Sequence, residues 1–175
     1  MTSKEVQPMA SSVPAWTTAL PADLGTRLKF DVPTDEDMGV IASIRAGSSP
    51  WKERGETQAE SLELLTKLRP NISVGKLETN IIGYVTIERD GPVPGAAYMR
   101  NIVVRSELRR KGVGLALLDQ ALKMARDMNR KTIALRVDPA NASAVPFYRK
   151  HGFTTVATVV SKKNGKLRLL MSREL

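Results

Sequence analysis

The chain has 175 residues, 42% of them hydrophobic, which is enough for one domain with its own core. It contains no cysteine and one histidine, so disulfides, cysteine nucleophiles, thiolate metal sites and sites built from two histidines are excluded, and we expect no metal. The formal net charge is +9, and the excess lies in residues 105–175, which carry 16 basic and 5 acidic side chains. Such a localised excess of positive charge suits the binding of a compact polyanion at least as well as that of nucleic acid in a long groove. The alternative is a basic face that is merely solvated.

The predicted elements begin after a loosely ordered N-terminal arm, residues 1–25, which is rich in Ser, Thr, Ala and Pro and has no period. In the domain of residues 26–175, alternating polarity predicts a first strand over 27–32. Two capping-box signals then each predict the start of a helix: Thr34 with Asp37, and Thr57 with Glu60. Pro70 ends the second helix, and the loop between the two helices carries one large aromatic residue, Trp51.

The second half of the chain alternates strands and helices. Three strands are predicted over 71–77, 81–87 and 96–104, followed by a long amphipathic helix over 112–129. A strand over 132–137, a short helix over 141–150 and a hairpin over 153–160 and 167–171 complete the chain, and we expect a type I′ turn at Asn164–Gly165. This order predicts an α/β (mixed α+β) fold in which helices cover the faces of a mixed sheet.

The most informative segment joins the 96–104 strand to the long helix. Its sequence, VVRSELRRKGVGL at 103–115, places a basic turn and two glycines at a helix start. A helix N-terminus offers unpaired N–H groups and partial positive charge, and glycines let the backbone approach a phosphate closely. Basic residues there oppose the helix dipole unless an anion binds, so the segment predicts an anion site. It has neither the Gly-Lys-Ser/Thr of a Walker loop nor the third glycine of a dinucleotide fingerprint, where Leu117 stands.

The pattern Arg109-x-x-Gly112-x-Gly114 resembles the acyl-CoA-binding motif of the GNAT (GCN5-related N-acetyltransferase) superfamily. Residues 141–153, NASAVPFYRKHGF, are similar to a second motif of that family, and one helix and one strand separate the two motifs. The order of elements agrees from about Thr26 to the C-terminus. The resemblance implies the GNAT acyl-CoA N-acyltransferase fold, a central mixed, mostly antiparallel sheet flanked by about four helices, and an enzyme that uses acetyl-CoA as co-substrate.

The resemblance also implies roles for individual residues. The backbone at the end of the strand would pair with the pantetheine amides, at Ile102, Val103 and Val104. Backbone N–H groups at the helix start would hold the pyrophosphate, in the run of Arg109, Arg110, Lys111, Gly112, Val113, Gly114 and Leu115. Asn141 would contact the pantetheine or the adenosine side of the cofactor. Tyr148 would protonate the leaving thiolate as general acid, with simple packing in the helix as the alternative.

The general base is where the sequence departs from the commonest family pattern. Many members carry a glutamate six residues before the last valine of the strand, and here that residue is Tyr98. Some members that acetylate protein N-termini have a tyrosine there, which acts through an ordered water. Tyr98 is therefore a candidate, and a core or surface tyrosine is an equal alternative. Glu88 on the neighbouring strand is a weaker candidate, and His151 is interpreted as a structural residue.

The acceptor is expected on the half of the chain that has no basic excess. Because CoA would occupy the cationic half, an amine, itself a cation, should enter from the other side, beside the 48–52 loop and the Tyr98 strand. Trp51 could wall that slot or stack on a cationic group, and a tryptophan that caps the core is the alternative.

Together these features predict an acetyl-CoA-dependent N-acetyltransferase that transfers acetyl to a primary amine by direct attack. The acceptor could be a protein N-terminus, a lysine or a small-molecule amine. The missing strand glutamate leaves a catalytically weak CoA-binding sensor or interaction domain of the same fold as the alternative. Aromatic content of 5% disfavours nucleic acid as a partner. With no apolar run of roughly 18 residues and no apolar signal segment, we expect a cytoplasmic monomer or homodimer that does not bind membranes.

Overall fold

The computed structural model describes Leu20 and residues 22–175. Its helices are α1 (Leu24–Arg27), α2 (Asp35–Ala46), α3 (Gln58–Leu68), α4 (Val113–Asp127) and α5 (Ala144–Lys150). Its strands are β1 (Leu28–Asp31), β2 (Ile72–Leu77), β3 (Asn80–Glu88), β4 (Ala97–Val104), β5 (Thr132–Val137), β6 (Thr154–Val160) and β7 (Leu167–Glu174). Most of the predicted 1–25 arm lies outside the described residues, and the short helix α1, which the sequence did not predict, spans its expected end.

Both predicted capping boxes are present and fix the starts of α2 and α3. The hydroxyl of Thr34 accepts a hydrogen bond from the Asp37 N–H at 3.2 Å, and the Asp37 carboxylate accepts one from the Thr34 N–H at 2.8 Å. Thr57 and Glu60 repeat the arrangement at the start of α3. These local signals were readable because a capping box involves only residues three apart.

The strands form one seven-stranded sheet in the order β1-β2-β3-β4-β5-β7-β6. Every neighbouring pair is antiparallel except β4 and β5, which are parallel. A parallel pair needs a long crossover, and α4 supplies it. The predicted mixed, mostly antiparallel sheet is confirmed.

Helices cover both faces of the sheet. On one face α2 and α3 pack over the sheet in a cluster that includes Ile41, Leu65 and Tyr84. On the other face α4 and α5 form a second cluster, which includes Leu118 and Tyr148. The central strands β3 and β4 are therefore buried between two layers of helices, and their residues alternate between the two sides.

The predicted type I′ turn in the closing hairpin is wrong. Residues 161–166 form a six-residue connection between β6 and β7, closed by a hydrogen bond from the Ser161 N–H to the Lys166 carbonyl at 2.8 Å. A type I′ turn needs positive φ at both central residues, but of Asn164 and Gly165 only the glycine has one, at 67°. The Asn-Gly pair therefore lies inside a longer loop.

Candidate active site

The central strands β4 and β5 separate partway along their length. They pair at only three positions, the last of which is Met99 with Leu135. Beyond it β4 continues to Val104 and β5 to Val137. Backbone groups that face such an opening can pair with an extended ligand inserted between the strands. Of the residues predicted to contact pantetheine, Ile102, Val103 and Val104 all lie on this diverging end of β4.

The turn after β4 is anchored to the sheet and then bends sharply into α4. The side chain of Leu108 is fully buried, and the Arg105 N–H donates to the Ile82 carbonyl at 3.0 Å. Arg110 and Gly112 have positive φ angles of 59° and 84°. Left-handed backbone at residue 112 is the conformation that favours glycine, which explains the glycine that the motif places there.

The start of α4 has the features of an anion site. Its N-cap residue is Gly112, which has no side chain to cap the helix, and its first turn holds no acidic residue. The preceding basic residues, Arg109, Arg110 and Lys111, are exposed. A Cβ built on Gly112 would meet no atom within 4 Å, so the space beside its backbone is open. The Leu115 N–H already donates to the Gly112 carbonyl at 3.1 Å, so an anion would meet the earlier N–H groups, those of Val113 and Gly114. These residues fit a pyrophosphate such as that of CoA.

Tyr148 lies on α5, next to this turn. The Cβ position of Gly114 is 3.8 Å from the ring of Phe147, so the start of α4 contacts α5. Tyr148 is 7% exposed, and its ring makes edge contacts with Phe147 and Phe153, at centroid distances of 5.4 and 5.5 Å. Burial raises the pKa of Tyr148, so its hydroxyl stays protonated at neutral pH and is able to donate a proton. The packing is thus observed, and the general-acid role stays a prediction.

Asn141 lies in the turn that leads into α5, two residues before the N-cap residue Ser143. Its side-chain oxygen accepts hydrogen bonds from the Ala144 N–H at 2.9 Å and from the Ser143 hydroxyl at 3.0 Å. The helix therefore begins at Ala144, three residues after the predicted start. The contact of Asn141 with the cofactor stays a prediction. Because the side-chain oxygen already accepts two hydrogen bonds, the amide nitrogen would make that contact.

Tyr98 lies on the face of the sheet that α2 and α3 cover. It pairs with Glu88 on β3 and with Ala134 on β5, at the end of β4 opposite the phosphate turn. Arg100 stacks over its ring at 5.7 Å and forms an ion pair with Glu88 at 2.7 Å. Burial raises the pKa of Tyr98, so at neutral pH its hydroxyl is protonated and could serve as a base only through another group.

A partly buried ion pair that the sequence analysis missed holds the α2–α3 loop. The Arg45 guanidinium donates to the Glu56 carboxylate at 2.6 Å, and the Ser61 hydroxyl donates to the same carboxylate at 2.7 Å. Arg45 also lies over the Trp51 ring at 4.2 Å, so one face of Trp51 is already covered by a cation of the protein. Arg45 stands four residues after Ile41 on the apolar stripe of α2, and that position was the only signal of its burial.

A groove of about 700 Å³ runs along the α1 side of α4. It begins at Lys111 and Gly112 and extends to Lys123, with Leu20 and Phe30 on its opposite wall. The open space at Gly112 therefore continues along the helix.

Within the described residues, no group of three or more His, Asp or Glu side chains is placed to hold a metal ion. None of the helices among these residues combines the length and the hydrophobicity of a transmembrane span.

Comparison with known proteins identifies the family. The model of the acetyltransferase (GNAT) family matches residues 41–153, which include the turn before α4 and the whole of α5. The chain belongs to the GNAT acetyltransferase family.

Individual proteins that resemble the chain are acetyltransferases by name. Streptothricin acetyltransferase A of Bacillus subtilis (strain 168) is 38% identical over 77 residues, which are 44% of this chain and 43% of that protein. The match therefore spans less than half of the relative's length. The crystal structure of Ard1 from Thermoplasma volcanium has a TM-score of 0.69 at 23% identity and covers 85% of this chain and 98% of its own. The PaiA N-acetyltransferase from Thermoplasma acidophilum, solved in complex with coenzyme A, has a TM-score of 0.62 at 16% identity and covers 85% and 99%. These two likenesses show that the fold is shared.

Proposed function

We propose that this chain is an acetyl-CoA-dependent N-acetyltransferase that acetylates a primary amine. One observation carries the proposal: the diverging ends of β4 and β5 open beside an uncapped, basic helix start with free space at Gly112. A slot for an extended amide chain next to an anion site matches the two ends of CoA, its pantetheine and its pyrophosphate. Bound there, acetyl-CoA would supply the activated acetyl group as a thioester.

The phosphate turn binds and orients the co-substrate. The N–H groups of Val113 and Gly114 and the side chains of Arg109, Arg110 and Lys111 would hold the pyrophosphate. The backbone of Ile102 to Val104 would align the pantetheine. Fixing the thioester beside the acceptor removes translational and rotational freedom before reaction, which is a large part of the acceleration that such a transfer needs.

Tyr148 would protonate the departing thiolate. Its buried hydroxyl carries a proton at neutral pH because burial raises its pKa, and a positioned general acid contributes typically about 10²–10⁴-fold to the rate. The acceptor would reach the thioester from the α2–α3 face, beside Trp51 and Tyr98. Since Arg45 already covers one face of Trp51, we expect this residue to wall the slot rather than to stack on the acceptor.

A panel of amines tests the proposed activity and identifies the acceptor. The panel holds streptothricin, which the name of a relative suggests, a peptide with a free N-terminus, an N-terminally blocked lysine peptide and a polyamine. Free thiol is measured after mixing with acetyl-CoA, with Tyr148→Phe as the matched control. Thiol release with one amine and little with the control supports the enzyme. Binding of CoA without thiol release from any amine would instead support the sensor.

A further inference from the structure

Four buried side-chain atoms in the part of the chain that the structure describes have no hydrogen-bond partner. They are Arg45 Nη1, Tyr84 Oη, Thr86 Oγ1 and Asn101 Nδ2, and of these residues Arg45 and Tyr84 interact with each other. All four belong to the side of the sheet that α2 and α3 cover, since Tyr84 lies in that cluster and Thr86 and Asn101 alternate with residues of the opposite face. An unpaired buried polar atom costs about 1–3 kcal/mol, so a row of them needs an explanation.

One member of this row, Asn101, stands at the opening between β4 and β5, and Thr86 lies beside it on β3. Thr86 and Asn101 are register partners on β3 and β4. Asn101 is two residues beyond Met99, the last β4 residue that pairs with β5. The register shifts between them and the next pair, Ile87 with Met99, so that Arg100 is an extra residue in β4. Such bulges re-aim side chains and are common beside active sites.

The chemistry of the pair fits a single bound water. Register partners have Cβ atoms about 4.5–5.5 Å apart, which is suitable for a water between a hydroxyl and an amide. The amide nitrogen of Asn101 donates and the hydroxyl of Thr86 can accept or donate, so the water gains partners on two sides. Neither side chain can reach bulk solvent, since Thr86 is fully buried and Asn101 is 8% exposed.

The transfer needs a proton acceptor that β4 does not supply as a carboxylate. Tyr98 stands at the usual glutamate position, and burial raises its pKa, so its hydroxyl remains protonated. Glu88 lies two residues after Thr86 on the same face of β3 and retains 23% side-chain exposure, which connects it to solvent. The charged and titratable groups at Glu88 are Arg100, its ion-pair partner, and Tyr98, its register partner, which Arg136 also faces.

Resting on the proposed function, we infer that Thr86 and Asn101 are positioning residues that hold a water at the opening of β4 and β5, and that this water takes the proton of the attacking amine. Before attack, the ammonium of the acceptor loses one proton to this water. The free amine then forms the new C–N bond as the C–S bond of the thioester breaks. The water gives a proton to the Glu88 carboxylate, which releases it to bulk solvent. The departing thiolate takes the proton of Tyr148, and the second proton that leaves the nitrogen restores Tyr148, so no further reactant is needed.

The test compares Thr86→Val, which is nearly isosteric but lacks the hydroxyl, with Thr86→Ser, which retains it. With the most reactive amine of the panel, we expect kcat of Thr86→Val at pH 7 to fall about 10–100-fold, while both KM values stay constant. Because the amine loses its proton to solvent at high pH, the deficit should shrink as the pH rises towards 9–10. Thr86→Ser should follow the wild-type profile. Ser73→Ala, on β2 and facing α4 through its bond to Gln120, is the control.

An equal loss of kcat in Thr86→Val at every pH, or no loss at all, would overturn the inference. A second readout does not depend on activity: a high-resolution crystal structure of the wild-type chain should show a water within hydrogen-bond distance of Thr86 Oγ1 and Asn101 Nδ2, and a dry site would refute it. If no amine of the panel releases thiol from the wild-type protein, the proposed function fails, and the crystal structure still decides whether the water site exists.

Discussion

Replacement of Gly112 by alanine should have two distinct effects: a small loss of stability from backbone strain, and a larger loss of CoA affinity from the blocked anion site. At φ of 84° a residue with a side chain costs about 1–2 kcal/mol, but its Cβ would meet no protein atom within 4 Å. Stability should therefore fall only modestly, by about 2–8 °C in Tm for a domain of this size. The added methyl lies in the open space where we propose that the pyrophosphate binds, so it keeps the anion from the backbone.

The expected loss of CoA affinity follows from one charged hydrogen bond. Such a bond contributes about 1.5–3 kcal/mol, which corresponds to roughly a 10–100-fold rise in Kd, measured by isothermal titration calorimetry. Gly95→Ala is the matched control, because Gly95 has φ of 76°, equally open space, and lies before the opposite end of β4. Equal CoA affinity in the two variants would refute the phosphate site, whatever their Tm values.

Three further changes test other parts of the site. Tyr148→Phe should lower kcat about 10²–10⁴-fold with little change in CoA Kd, and unchanged turnover at saturating substrates would make Tyr148 a packing residue. Trp51→Ala should raise the acceptor KM and leave the acetyl-CoA KM constant; if both move together, Trp51 does not wall the acceptor slot. Arg45→Gln leaves the partly buried Glu56 carboxylate without its cation, so Tm at pH 7 should fall by several degrees. Burial by itself would raise the pKa of Glu56, but hydrogen bonds from Arg45 and Ser61 and the charge of Arg45 lower it below its ordinary value. The stabilisation from the pair is therefore present at neutral pH and lost as the pH falls through the lowered pKa of Glu56, and a Tm deficit in Arg45→Gln that persists in acid would contradict this.

The elements that the sequence predicted are those whose signals are local. The capping boxes at Thr34 and Thr57 involve residues three apart, and the glycine at 112 marks a backbone conformation that only a turn of this kind requires. The family motifs around Gly112 and Tyr148 are equally local, and they led to the fold.

Features that depend on how distant parts of the chain come together could not be predicted from the sequence. Arg45 and Glu56 are eleven residues apart and meet only because the α2–α3 loop folds back on the sheet. The register shift at Arg100 turns Asn101 towards α2 and α3, and no pattern of alternation in β4 shows an inserted residue of this kind. The prediction of a type I′ turn in the last hairpin was wrong for the opposite reason: the local Asn-Gly signal is strong, but the pairing of β6 with β7 outweighs it.

The central claim, acetyl transfer from CoA to an amine at the opening of β4 and β5, is tested most directly by measuring both products of one reaction. The wild-type protein is mixed with acetyl-CoA and each amine of the panel, and free thiol and N-acetylated amine are quantified in the same sample, the latter by mass spectrometry. The account predicts equal amounts of the two products with at least one amine, and a large reduction of both in Tyr148→Phe. Thiol release without acetylated amine, or no release from any amine by a protein that binds CoA, would contradict it.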